Sequence, residues 1–266
     1  MYTALLSLGS IKLAGHWLRG GEMNRVSIGT SGWAYASWKP DFYPEKTPSS
    51  KFLNYYASQL NCVEVNYTFR ARPTAKMLDG WCAATPAGFA FAIKAHQRIT
   101  HVKRLKDVAE DVAAFCESVH ALDEAGKLGP VLFQLPPFLR LDEARLQSFL
   151  ACIPSGIRVA IEFRHQSWFT EDVFRHMREH NVALCVAESD GLQVPEVITA
   201  NFAYFRFRKS EYSEADLRQL EQRLATAARQ CDVYAFLKHE ETPQGALHAR
   251  LLLQRLEQHA GRPKVA

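Results

Sequence analysis

The sequence predicts a single (β/α)₈ barrel of the TIM type, somewhat irregular after its sixth strand, and three observations predict it. From Val26 onward, short runs rich in β-branched and aromatic residues alternate with longer amphipathic stretches, the pattern of strands and helices around a parallel sheet. There are eight such runs, the number that closes a barrel of this type. No linker divides the 266 residues, and barrels reach that length as one domain. Apolar residues make up 47% and charged residues 23%, which suffices for a core and excludes a disordered chain.

The strand-like runs fall at residues 26–29, 62–66, 90–94, 131–134, 158–163, 183–186, 202–207 and 232–238. Between them the periodicity predicts helices over 50–59, 74–84, 107–124, 142–152, 170–179 and 213–229, with a last one over 245–258. Only the sixth run lacks a following helix. Asp142, Thr170 and Ser213 each stand one residue ahead of an acidic first turn, where a side-chain oxygen can cap free backbone N–H groups. Gly129-Pro130, Pro136-Pro137 and Pro154-Ser-Gly156 mark boundaries where a helix stops or a strand turns into a loop. Residues 1–22 stand apart. They lack the charged start and continuous apolar run of a secretory signal, because Lys12, His16 and Arg19 interrupt them. They read as a translated leader ahead of a start at Met23, or as a short helical extension under the barrel, leaving 23–266 as the barrel domain.

A formal charge of +4 suits an anionic ligand and is far from the density of a dedicated nucleic-acid binder. The six cysteines include no CxxC pair, so reduced core thiols in a cytoplasmic protein are expected rather than a disulfide or zinc framework. No apolar run is long enough to span a membrane. Oligomeric state carries no signature in the sequence.

Function is expected where the strands end. Side chains alternate faces along a strand, and one parity collects the polar residues. Glu64 shares a face with Asn66, opposite Val63 and Val65. Lys94 follows the small Ala90 and Ala92, opposite Phe91 and Ile93. Glu162 and Arg164 follow Ala160, opposite Ile161 and Phe163. Gln134, Arg206 and Lys238 end their strands in the same way. In a barrel this parity faces the lumen, and its positions emerge at the C-terminal mouth, where such enzymes place their chemistry.

Several ordered motifs carry a resemblance: Gly29-Thr-Ser-Gly-Trp33, Phe42-Tyr-Pro44, Val63-Glu-Val-Asn-Tyr-Thr-Phe69, Ile99-Thr-His101, Gly129-Pro-Val-Leu-Phe-Gln-Leu-Pro-Pro137 and Ile161-Glu-Phe-Arg-His165 with Trp168. Together they resemble the YecE-like family, domain of unknown function 72, over about residues 26–256. The resemblance implies a barrel and brings no known reaction. This chain departs from it at Arg206-Phe-Arg-Lys209, where relatives tend to have Arg-Phe-His-Gly, and at Lys238-His-Glu-Glu241, in place of an Asn-rich turn. Both departures change the charge beside the expected pocket.

The leading expectation is an acid/base enzyme acting on a phosphorylated or polyhydroxylated small molecule. Glu64 and Glu162 would share general acid and base roles, and Lys94 would be a third catalytic group. Asn66, His101, Gln134, Arg164, His165, Trp168, Arg206, Lys238 and Trp33 would hold the anionic substrate. Each glutamate could equally be the ion-pair partner of a neighbouring Lys or Arg, and Lys94 could instead form a Schiff base. The alternative is a non-catalytic anion or single-stranded nucleic-acid binder. It would use the basic stretch Lys94, His96, Arg98, His101, Lys103 and Arg104, the cluster Arg206, Arg208, Lys209, Lys238 and His239, and an aromatic set of Trp33, Tyr35, Trp38, Tyr43, Tyr67 and Phe69. Those aromatics could equally be a packed cap over the barrel. His96, His101, His165 and His239 lack the spacing of a metal motif, so neither metal nor other cofactor is expected.

Overall fold

The computed structural model describes residues 24–259 apart from 190, 210, 239 and 240. The leader or extension expected over 1–22 and the expected role of His239 lie outside the described residues. Eight strands, β1 (Val26–Thr30), β2 (Cys62–Val65), β3 (Ala90–Lys94), β4 (Leu128–Gln134), β5 (Val159–Glu162), β6 (Val182–Ala187), β7 (Phe202–Phe207) and β8 (Asp232–Leu237), form one parallel sheet in the order β1-β8-β7-β6-β5-β4-β3-β2. Outside them lie α1 (Phe52–Gln59), α2 (Ala75–Ala83), α3 (Ala109–Glu117), α4 (His120–Glu124), α5 (Glu143–Ala151), α6 (Glu171–Glu179), α7 (Glu214–Ala228) and α8 (Gln244–His259). The result is the predicted (β/α)₈ barrel. No helix separates β6 from β7 among the described residues.

The alternation read from the sequence sorts the core into two shells. Ala90, Ala92, Leu132, Ala160, Ala183, Cys185, Tyr204, Tyr234 and Phe236 pack together inside the barrel. Val63, Val65, Phe91, Ile93, Ile161 and Phe163 belong to the larger outer shell between strands and helices. Small residues inside β3, β5 and β6 leave room for the bulky rings of β7 and β8.

Closure between β1 and β2 depends on side chains. One backbone bridge joins Ser31 and Glu64, and Gly32 N–H donates to Glu64 O at 2.9 Å. Below it, the Asn61 amide accepts from Ile28 N–H and donates to Val26 O, both at 2.9 Å. The Tyr56 hydroxyl accepts from Thr30 N–H at 2.8 Å and donates to Cys62 O at 3.0 Å. These groups satisfy backbone polar atoms that a ladder would otherwise pair. A Cβ on Gly29 would stand 2.0 Å from Cys62 O, so only glycine lets the strands come this close.

Two details correct the sequence reading. Gly129 and Pro130 lie inside β4 rather than at its boundary. The β3–β4 register shifts between Phe91 and Ile93, and a Cβ on Gly129 would meet Phe91 O at 3.1 Å. An irregular ladder of this kind tolerates a proline and favours a glycine. The single helix expected over 107–124 is two helices, because the Ser118 hydroxyl donates to Phe115 O at 2.6 Å and offers the backbone a local alternative to helix. The caps are as expected: Asp142 accepts from Arg145 N–H, Thr170 from Val173 N–H and Ser213 from Asp216 N–H, the last in a capping box.

Among the described residues no helix is long and apolar enough to cross a membrane. All six cysteines are unpaired thiols.

Candidate functional site

The lumen parity delivers Glu64 from β2, Glu162 from β5 and Arg206 from β7 to one point under the C-terminal mouth. All three are buried, at no more than 3% exposure, and Arg206 joins the two acids. Its Nη2 donates to Glu64 at 2.7 Å and its Nη1 to Glu162 at 2.5 Å. Glu64 also accepts from the Ser31 and Tyr204 hydroxyls, each at 2.8 Å. Glu162 accepts from Gln134 Nε2 at 2.9 Å, Arg164 Nε at 2.8 Å and Arg208 Nη2 at 3.1 Å. Both carboxylates are therefore surrounded by donors.

Burial alone would raise both carboxyl pKa values. For Glu64 the Arg206 guanidinium and two hydroxyls overcome it and hold the group below the ordinary range. For Glu162 the charges of Arg206, Arg208 and Arg164 hold it well below. Opposite charge and hydrogen bonding to the ionised form outweigh desolvation, so both stay carboxylates at neutral pH.

Lys94 differs. Burial first, and then repulsion by Arg206, lower its ammonium to about 8, although Glu64 and Glu162 pull the other way. Its Nζ donates to Gln134 Oε1 at 2.9 Å and lies 4.3 Å from the Phe69 ring centroid. Gln134 thus spans the site, accepting from Lys94 through its oxygen and donating to Glu162 through its nitrogen. His101 meets the edge of Phe69 with ring centroids 4.9 Å apart, and burial followed by Lys94 and Arg164 lowers its pKa. Arg164 and Arg208 keep 30% and 21% of their side chains exposed. In this network Lys94, Arg164, Arg206 and Arg208 face two carboxylates, a surplus of positive charge at a half-open mouth.

The remaining expected residues divide. Asn66 and Trp33 line a cavity of about 280 Å³ with Tyr35, Tyr67, Met77 and Trp81. Lys238 is exposed at the end of β8, its backbone N–H bonded to Phe207 O. His165 is half-buried, and its Nδ1 accepts from Ser167 N–H at 3.1 Å, capping a short turn. Trp168 corrects its expectation as a binding residue: it is fully buried, stacks on Phe163, and donates its indole N–H to Leu139 O at 2.7 Å. Of the aromatic set, Trp38 and Tyr43 are also fully buried, in a cluster with Phe42 and Phe52, and offer no stacking face.

Sequence reasoning missed Ser31 and Tyr204 and left Arg208 out of the binding set. Parity could have found two of these, since Tyr204 precedes and Arg208 follows Arg206 by two residues. Glu188, after β6, holds the backbone of that turn by accepting from Arg208 N–H at 2.8 Å and from Tyr212 Oη at 2.5 Å. A larger cavity of about 420 Å³ lies away from this chemistry, on the outer wall of β6 and β7 against α7. Among the described residues no group of three or more His, Cys, Asp or Glu is placed to hold a metal ion.

A family model described as "Protein of unknown function DUF72" matches residues 27–266. The UPF0759 protein YunF of Bacillus subtilis is 33% identical over 151 residues, covering 54% of this chain and 52% of that protein. The UPF0759 protein YecE of Escherichia coli K12 is 27% identical over 147 residues, 55% of this chain and 51% of its own length. The chain thus spans about half the length of the curated relatives it matches. A crystal structure of a DUF72 family protein from Thermotoga maritima superposes with a TM-score of 0.79 at 28% identity, over 88% of this chain and all of that one. One from Enterococcus faecalis gives 0.71 at 20% identity, over 89% and 99%, a likeness of fold.

Proposed function

The chain belongs to the family described as "Protein of unknown function DUF72", and on that premise we propose that its barrel mouth binds a small anion and transfers a proton to or from it through Lys94. The substrate class is a phosphorylated or polyhydroxylated small molecule, and the reaction is a proton transfer of the hydrolase, lyase or isomerase kind. The observation that carries this reading is the division of labour around Arg206. Two buried carboxylates are committed to it as counter-charges, while the half-open Lys94 titrates at about 8.

A group titrating near the working pH is effective as both acid and base, and positioned proton transfer contributes about 10² to 10⁴ in rate. Glu64 and Glu162, held as carboxylates, have no proton to give, so the paired-glutamate mechanism gives way to a lysine-centred one. Arg164 and Arg208 each spend only part of their fork on Glu162, and the remaining N–H groups suit a phosphate oxygen. Nucleic acid fits this surface less well. Within the basic stretch after β3, Arg98 and Lys103 both pair with Asp111, at 2.8 and 2.6 Å, and Arg104 lies over Phe138.

The test is thermal stabilisation against sugar phosphates, sugars and short oligonucleotides, with any turnover found followed against pH. Stabilisation by one small phosphorylated class is expected, with an activity limb near pH 8 that Lys94→Met removes. Stabilisation by oligonucleotides alone, abolished by salt, would overturn the reading.

A further inference from the structure

The cavity lined by Trp33, Asn66 and Tyr67 is built from segments that directly follow Ser31 and Glu64 of the charged mouth. Ser31 bonds Glu64, and the next four residues, 32–35, all line the cavity, Trp33 and Tyr35 among them. On the other side, Asn66 and Tyr67 line it, while Phe69, two residues further along the same turn, lies against Lys94 and His101. The Lys94 ammonium and the cavity thus meet opposite ends of the short turn Tyr67–Phe69.

The cavity is built rigidly. Trp33 meets Trp81 edge-to-face at 5.7 Å, and Trp81 stacks at 5.6 Å on Phe91 of the outer shell. The Trp33 carbonyl accepts from the Tyr43 hydroxyl, and the Tyr35 hydroxyl donates to Ser31 O at 3.1 Å. Gly32 holds a φ of +97°, and a Cβ there would stand 2.5 Å from the Tyr35 hydroxyl, so the turn that sets these rings requires glycine.

Its chemistry is selective. Indole, phenol and thioether walls favour a flat π system by offset or edge contacts. About 280 Å³ lies just below the usual span of ligand pockets, roughly 300–1,000 Å³, so it is sized for one compact group. Asn66 adds one polar handle: its Oδ1 is buried and meets no donor among the described residues, and an amide can present either a donor or an acceptor to a ring edge. Buried polar atoms are ordinarily paired.

We propose that this cavity is the subsite for a planar aromatic group carried by the anion bound at the mouth, which makes the ligand class a small aromatic anion with a short spacer between ring and charge. The inference rests on the anion-binding reading above and narrows it.

Calorimetric titration of the full chain with inorganic phosphate, phenyl phosphate, ribose 5-phosphate and adenosine 5′-monophosphate tests it. At least one of the two ring-bearing phosphates should bind ten-fold or more tightly than its ringless counterpart. Trp33→Ala should remove that increment while leaving inorganic phosphate affinity in place. Tyr67, 49% exposed at the lip, provides a second variant, Tyr67→Ala, that spares the core and should shrink the increment several-fold. Equal affinities with and without the ring, or an increment that survives both substitutions, would overturn the subsite while leaving the anion site standing. Failure of every phosphate to bind would overturn the anion site itself, and the subsite with it.

Discussion

Two parts of the barrel mouth hold the same kinds of side chain in opposite states. In the buried part, Arg206 lies between Glu64 and Glu162 as their shared cation, with no more than 3% of any of the three side chains exposed. At the rim, Lys94, Arg164 and Arg208 retain solvent access, and Lys94 is pushed towards neutrality. The difference comes from partners and water. Where carboxylates surround a cation in a dry interior, the ionised state is locked. Where burial is partial and the neighbours are cations, the charge becomes titratable. The buried part thus fixes the geometry, and the rim keeps its cations open to solvent.

Breaking the buried part should have the largest effect. Arg206→Met leaves two buried carboxylates without their shared cation and should lower the unfolding free energy by about 3–5 kcal/mol, read from urea denaturation; a loss below 1 kcal/mol would mean that water already reaches the acids. Next is the acid limb of stability. Glu64 and Glu162 titrate lower in the folded state than in the unfolded chain. Their stabilisation is therefore fully present above the unfolded value of about 4.3 and is lost as pH falls below it towards the folded values. Urea midpoints between pH 3 and 6, taken as roughly the span around that value, should fall more steeply for the native sequence than for Glu162→Gln.

At the rim the slope has the same sign, but its window lies at alkaline pH. Lys94 titrates at about 8 in the fold and about 10.4 unfolded, so the unfolded chain binds the extra proton between those values and stability rises with pH across that window. Lys94→Met should flatten this rise while preserving the fold, and should weaken phosphate binding. A melting temperature that falls sharply in the variant would instead place Lys94 with the locked group. The smallest effect is expected outside both parts. Arg98→Ala breaks only a surface pair with Asp111, and such pairs contribute little. Its unfolding midpoint and phosphate affinity should match those of the native chain.

Legibility in the sequence followed the range of the interaction. The inward parity of Ala90, Ala92 and Ala160 is a local, period-two property, and each predicted run became a strand with ends shifted by at most three residues. Capping by Asp142, Thr170 and Ser213 was legible because a cap and its N–H lie three residues apart. Gly129 misled because the irregularity it serves involves Phe91 on another strand. Trp168 misled because a motif says nothing about which way an indole faces. The aromatic stretch 33–43 was readable as aromatic, yet only packing divided Trp38 and Tyr43, sealed in the core, from Trp33 and Tyr35, which line a cavity.

The sequence by itself determined the barrel, its two-shell core and the gathering of polar strand ends at one mouth, because all of these follow from periodicities of two and 3.6 residues along the chain. Only the tertiary structure decided that Arg206 bridges Glu64 and Glu162, that Gln134 links Lys94 to Glu162, and that Asn61 and Tyr56 close the seam between β1 and β2. Charge state and hydrogen-bond partnership depend on distances between strands far apart in the chain and on the water excluded between them, and neither quantity is written in the order of the residues.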